Sequence, residues 1–159
     1  MPSLLSLLNR LHITPKRQHK ILPKAKALLR RGDEILLIQH PQEGLWRLPG
    51  GFVQEDESAF QALERAVQQL TGLRPLTMHP IAREDESEFR ADARFGDFFQ
   101  MYSTLFWVEN WQDAASAQPS EWQHMFVAPT ALPANCHPEV QRALQAWQHF
   151  EQTGQILVF

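Results

Sequence analysis

Apolar and polar positions divide the chain into short strand-like runs and two helical ones. Lys24 to Arg31 and Glu34 to His40 read as two strands around the turn Arg31-Gly32-Asp33, a hairpin signal. Within the second, Ile35, Leu36, Leu37 and Ile38 form an unbroken apolar run, the pattern of a strand buried on both faces. Gly44 opens a further segment, Leu45 to Leu48, closed by Pro49-Gly50-Gly51. Ser58 to Thr71 then switches to helical spacing, with Phe60, Leu63, Val67 and Leu70 as its apolar stripe. Ser58 suits the N-cap, and Gly72 stands where a helix end favours a left-handed residue. Strand-like segments follow at Met101 to Val108 and Trp122 to Val127. Pro138, in a first helical turn, starts a last helix that runs to about Phe150, with Gly154 just beyond and Val140, Leu144 and Trp147 on its buried face. At the N-terminus Leu4, Leu5, Leu7, Leu8 and Leu11 predict a short amphipathic helix over 3–12.

Strands, a central helix, more strands and a terminal helix predict an α/β (α+β) fold, a mixed β-sheet sandwiched between helices. The 159 residues suit a single domain over 1–159, and no repeat or low-complexity linker divides them. No run of about 18 apolar residues is present, which argues against a membrane span. In the N-terminal segment basic residues follow the leucines, the reverse of a secretory signal, so that helix is expected to pack on the domain or on a second copy in a homodimer. Cys136 is the one cysteine, which excludes an internal disulfide or a cysteine metal cluster and fits a cytoplasmic location.

Net charge is −3 but unevenly distributed. Residues 1–31 hold eight Lys or Arg and no acid, against seven basic and eighteen acidic residues in the remainder. Two readings compete: a basic patch for phosphates, or a solvated stretch complementing an acidic body, and the second is the more ordinary. Neither composition nor charge favours a nucleic-acid partner.

Residues 50–73 read GGFVQEDESAFQALERAVQQLTGL. This resembles the Nudix box, in which a glycine is followed after five residues by Glu, and after seven more by Arg-Glu-apolar-x-Glu-Glu-x-Gly-apolar. Gly51, Glu57, Arg65, Val67, Gly72 and Leu73 fall at matching positions, and the preceding Trp46-x-Leu48-Pro49-Gly50 is also typical of that family. The resemblance implies the Nudix fold, a substrate made of a nucleoside diphosphate linked to another moiety, and divalent cations. Such cleavage moves charge among phosphate oxygens, and Mg²⁺ or Mn²⁺ neutralises it. Glutamates at i, i+3 and i+4 gather the required oxygen ligands on one helix face, and the glycines let backbone approach phosphate.

This sequence departs from the box at the ligands themselves. The three helix positions that carry Glu in the family are Ala66, Gln69 and Leu70. Gln69 offers one neutral carbonyl oxygen and Leu70 none. Metal binding is therefore expected to be weak and to rest on Glu57 and Gln69. Glu64 lies about 160° around the helix from Ala66 and should point away. The resemblance assigns Glu57 and Arg65 as a retained pair, catalytic by position, although a bidentate ion pair fixing loop to helix is the more ordinary role. Arg47, Gly50 and Gly51 are the candidate substrate-binding residues. Acids at 84–97 (Glu84, Asp85, Glu86, Glu88, Asp92 and Asp97) read as a loop that either closes over the site or is plain solvated surface. Phe89, Phe95, Phe98 and Phe99 are candidates for base stacking or for the core.

The stretch GGFVQEDES also looks like the box of GDP-mannose mannosyl hydrolases, which keep one metal-binding Glu where Leu70 stands here. His124 lies near that branch's catalytic His, but no role is carried over. Two functions follow: a divergent Nudix hydrolase with impaired metal-dependent catalysis, or a catalytically inactive module that keeps the cleft for a nucleotide-like ligand or as an interaction scaffold.

Overall fold

The computed structural model describes residues 19–86, 98–114 and 120–159. The expected helix at 3–12, and Glu88, Phe89, Asp92, Phe95 and Asp97, lie outside the described residues. Among those described there are eight strands, one short 3-10 turn and two α-helices. In chain order they are β1 His19–Arg31, β2 Glu34–Gln39, β3 Trp46–Arg47, β4 Gly50–Phe52, α1 Ala59–Thr71, β5 Leu73–Glu86, β6 Phe98–Asp113, β7 Gln123–Val127, the turn Pro129–Ala131, α2 Glu139–Thr153 and β8 Leu157–Val158.

The strands form a mixed sheet in the order β3-β2-β1-β6-β5-β8, with β4 also paired to β1 and β7 to β2. β1 runs parallel to β6, and β5 parallel to β8; the other pairs are antiparallel. α1 covers one face and α2 the other. Because side chains alternate along a strand, β1 sends Ala25, Ala27 and Leu29 toward α1, where they meet Leu63 and Val67. It sends Leu28 toward α2, where it joins Val140, Ala143 and Ala146. The run Ile35–Ile38 is divided in the same way and is buried throughout, as a strand between two helical layers requires.

Several expectations shift. β1 begins earlier than Lys24, and the Pro49-Gly50-Gly51 closure is partly strand, since Gly50, Gly51 and Phe52 pair with Lys26, Ala25 and Lys24. Glu84, Asp85 and Glu86 are not a loop: they lie on β5, opposite Ser103, Tyr102 and Met101 of β6. The buried face of α1 is Ala62, Leu63, Ala66, Val67 and Thr71, while Phe60 is exposed. The basic stretch is not simply solvated. Lys26 is buried, Arg30 lies 4.4 Å from the Trp147 ring centre, and Arg31 lies 4.0 Å from that of Phe126.

Candidate functional site

α1 begins as its sequence dictates. The Ser58 hydroxyl accepts from Gln61 N–H, and the Gln61 side chain accepts from Ser58 N–H, a reciprocal capping box. Gly72 closes the helix at φ 74°, its N–H bonded to the Gln68 carbonyl. The loop between β4 and α1 is held by one carboxylate. Arg65 Nε donates to Glu57 Oε2 at 2.9 Å and Arg65 Nη2 to Glu57 Oε1 at 2.9 Å, a bidentate pair. Arg65 Nη2 also reaches the Phe52 carbonyl at 3.0 Å, and Gln54 N–H donates to Glu57 Oε1 at 3.0 Å. The Arg65 hydrogen bonds, then the Gln54 amide, lower the Glu57 pKa from 4.5 to about 2. The same contact raises that of Arg65.

The edge of α1 that would present metal ligands is closed or uncharged. Ala66 is 4% exposed, and a Cβ placed on Gly51 would stand 3.1 Å from the Ala66 Cβ. Gln69 is exposed and neutral, Leu70 half-buried and apolar. Glu57 has both oxygens committed to Arg65 and Gln54. Glu64 faces away, as expected, and pairs with Arg74 at 2.9 Å. Among the described residues no three His, Cys, Asp or Glu side chains gather as a cation site. The described side chains on this edge do not fit a divalent metal held in the usual way.

The opposite face of the β4 strand is differently built. Lys26 Nζ lies 2.8 Å from Glu139 Oε2, both side chains 6% exposed. Glu139, at the start of α2, also accepts from Leu48 N–H at 3.1 Å, so one carboxylate ties β1, α2 and the approach to the glycines. Farther along, Arg142 Nε lies 2.6 Å from Glu84 Oε1. Lys26, Leu48, Glu84, Ser103, Glu139 and Arg142 line a common cavity. His137 stands beside Glu139, and burial lowers its pKa despite that neighbour's opposing charge. Lys24, two residues from Lys26, places its ammonium 5.4 Å from the Phe52 ring centre. Sequence reasoning does not find Lys26, Glu139, Glu84 and Arg142 as a group. The available signal is their charge within otherwise apolar strand and helix faces.

Of the candidate residues, Glu57 and Arg65 are in direct contact, and Gly51 abuts their helix. Gly50 has no room for a side chain, since a Cβ would overlap the Ala25 carbonyl oxygen. Arg47 is on β3, 3.4 Å from Glu43, outside the Glu57–Arg65 contact. His124 is an exposed residue of β7.

The family model of the NUDIX domain matches residues 21–148, most of the chain. The chain belongs to the NUDIX domain family. A CTP pyrophosphohydrolase of Escherichia coli (strain K12) is 40% identical over 58 residues, which span 34% of this NUDIX chain and 43% of that relative. The solution structure of the E. coli ORF135 protein superposes with a TM-score of 0.63 at 24% identity, over 84% of this chain and 92% of that one. A MutT NUDIX hydrolase from Burkholderia pseudomallei gives 0.62 at 20% identity, over 80% and 98%. These structural likenesses establish the Nudix fold, including the sheet between two helices.

Proposed function

We propose that this NUDIX-domain chain binds a nucleoside diphosphate linked to a second moiety, and that its metal-dependent hydrolysis is impaired. The observation that carries the reading is the α1 edge, where buried Ala66 packs against Gly51 and neither Gln69 nor Leu70 is an anion. Cleavage of a diphosphate places developing charge on oxygens, and withdrawing metal stabilisation costs several kcal/mol, each ~1.4 kcal/mol being tenfold in rate.

In this reading Glu57 and Arg65 hold the loop rather than the metal. A carboxylate already engaged by a guanidinium and an amide has little remaining capacity for Mg²⁺. Gln69 adds one neutral oxygen, so any Mg²⁺ or Mn²⁺ is weakly held. Gly50 and Gly51 keep the β4 backbone close to β1 and α1, and the paired charges of Lys26 and Glu139 lie on the neighbouring β1 and α2. Arg47 would serve the phosphates only by releasing Glu43. The limiting case is a binding module without turnover.

The test is calorimetric titration of the intact chain with CTP, CDP, ADP-ribose, UDP-glucose and GDP-mannose, in chelator and again in Mg²⁺ or Mn²⁺, paired with product analysis. Saturable binding in chelator with little or no metal-stimulated product is the expected result. Efficient, metal-dependent cleavage of any of these compounds overturns the impairment, and absence of binding throughout overturns the nucleotide reading.

A further inference from the structure

On the α1 face of the sheet the helix stops short of one corner. Ala25 and Phe106 lie beneath it, 0% and 3% exposed, and Phe60 of α1 sets its ring 5.1 Å from that of Phe106. Strand register carries the same face onward. Ala25 pairs with Thr104, Thr104 with Arg83, and Arg83 with Val158, so these four side chains share one row. The next row on that face, two residues along, sets Tyr102 opposite Asp85.

Arg83, Asp85, Tyr102, Thr104 and Val158 line an open space of about 190 Å³. That is well above the room one water needs and below the ~300 Å³ at which pockets begin to enclose a drug-sized ligand, so it suits one flat ring system. The two rows stand roughly 7 Å apart along the strands. Arg83 and Asp85 are both exposed, and no ion pair holds the Arg83 guanidinium among the described residues. Gln100 Nε2 lies 3.4 and 3.3 Å from the two Asp85 oxygens, long contacts that leave the carboxylate most of its lone-pair sites. Tyr102, 38% exposed, places an aromatic ring beside both charges.

We propose that this corner of the α1 face is a separate binding site for a guanine base. Stacking on Tyr102 supplies contact that any base can use, and the charges make the choice. Guanine presents two acceptors along one side, N7 and O6, followed by two donors, N1–H and N2–H. Arg83 meets the acceptors as a two-pronged donor, and Asp85 takes the two donors, one on each oxygen. Adenine would set its N1 lone pair against the Asp85 carboxylate, and cytosine offers that carboxylate only its amino group. Buried Ala25, which pairs with Gly51 on one side and Thr104 on the other, separates this space from the loop between β4 and α1. The site goes beyond the nucleoside diphosphate reading and does not depend on it, since no phosphate takes part.

The test is an amide NMR titration of the full, isotope-labelled chain with guanosine, which carries no phosphate. It is repeated with adenosine and cytidine, and with the variants Asp85→Asn and Arg83→Gln, whose positions are exposed and whose spectra verify folding. Guanosine is expected to shift the amides of residues 83–85 and 102–104 saturably. Each variant is expected to weaken that binding at least about tenfold, the scale of one lost bidentate pair. Adenosine and cytidine are expected to bind the parent at least about tenfold more weakly than guanosine. Absence of guanosine binding, shifts centred elsewhere in the chain, or equal affinity in parent and variants overturns the site. Equal affinity for the three nucleosides overturns the guanine assignment. If one variant misfolds, the other decides.

Discussion

The buried pair Lys26–Glu139 gives the sharpest test of how the two halves of the cleft are held together. With both side chains 6% exposed and 2.8 Å apart, neither charge has water to fall back on. Lys26→Met leaves the Glu139 carboxylate with the Leu48 amide as its short backbone donor. That charge is then left uncompensated in a site with almost no solvent. Glu139→Gln keeps a carbonyl oxygen for Leu48 N–H and takes the anion away from the ammonium. Each single change is therefore expected to cost about 3–4 kcal/mol, within the range for breaking one side of a buried pair. For a chain of this size that is a drop of roughly 6–16 °C in melting temperature. The double variant Lys26→Met, Glu139→Gln removes both charges, keeps the Leu48 hydrogen bond, and should be less destabilised than either single variant. Urea denaturation of all four proteins closes the cycle, with a coupling of at least about 2 kcal/mol expected. Additive losses would mean that the two charges do not depend on one another, and the reasoning would fail.

Glu57 should titrate near pH 2 in a carbon-detected NMR experiment, because Arg65 and the Gln54 amide hold its charged form. Since its folded pKa lies below the ordinary value of 4.5, its contribution to stability is complete above about pH 4.5 and is lost as pH falls toward 2; a midpoint near 4.5 contradicts the bidentate clamp. Gly50→Ala should destabilise by at least about 1–3 kcal/mol in urea, as its Cβ would overlap the Ala25 carbonyl. Gly51→Ala should cost less, because it meets only the Ala66 methyl, and equal losses would show that the β4–β1 contact is not what excludes a side chain. Gln69→Glu with Leu70→Glu should raise calorimetrically measured Mn²⁺ affinity above that of the parent, while adding Ala66→Glu should lower the denaturation midpoint because residue 66 is 4% exposed. No gain in Mn²⁺ affinity in the double variant would show that this edge of α1 does not face the cleft.

What is legible in the sequence is local. α1 announces itself through Ser58, Gln61 and Gly72, whose caps are formed within a turn of the helix, and the apolar run of β2 can be read without knowing its neighbours. β5 is not legible. Pro75 and Pro80 interrupt it, and its pairing with β6 slips between Pro75 and Thr77 and again between Pro80 and Ala82. A strand with such irregularities loses the period of two by which strands are recognised. Its polar end, Glu84 to Glu86, then looks like a loop. Lys26 escapes sequence reasoning for a different cause. Lysine in a strand is ordinarily solvated, and the carboxylate that makes burial tolerable comes from the start of α2, far along the chain.

The same division explains how this loop and helix hold their shape with Ala66, Gln69 and Leu70 on the helix edge. The bond between Glu57 and Arg65 spans eight residues, and the capping box three, so both form from the loop and helix alone. Neither passes through Ala66, Gln69 or Leu70. Replacing carboxylates at those positions removes like-charge repulsion along the helix, and alanine at 66 is the best helix former. On the proposed reading, the fold gains or loses little without carboxylates at these positions, while metal-dependent chemistry loses much. A retained Arg65 and Gly72 consequently testify to the scaffold, and only the residues on the α1 edge testify to catalysis. On the other face of β4 the relation is inverted. There the charges of Lys26, Glu139, Glu84 and Arg142 come from separated strands and from α2, and meet only in the folded domain. That makes the α2 face the part of this domain whose polar character had to be built by tertiary structure.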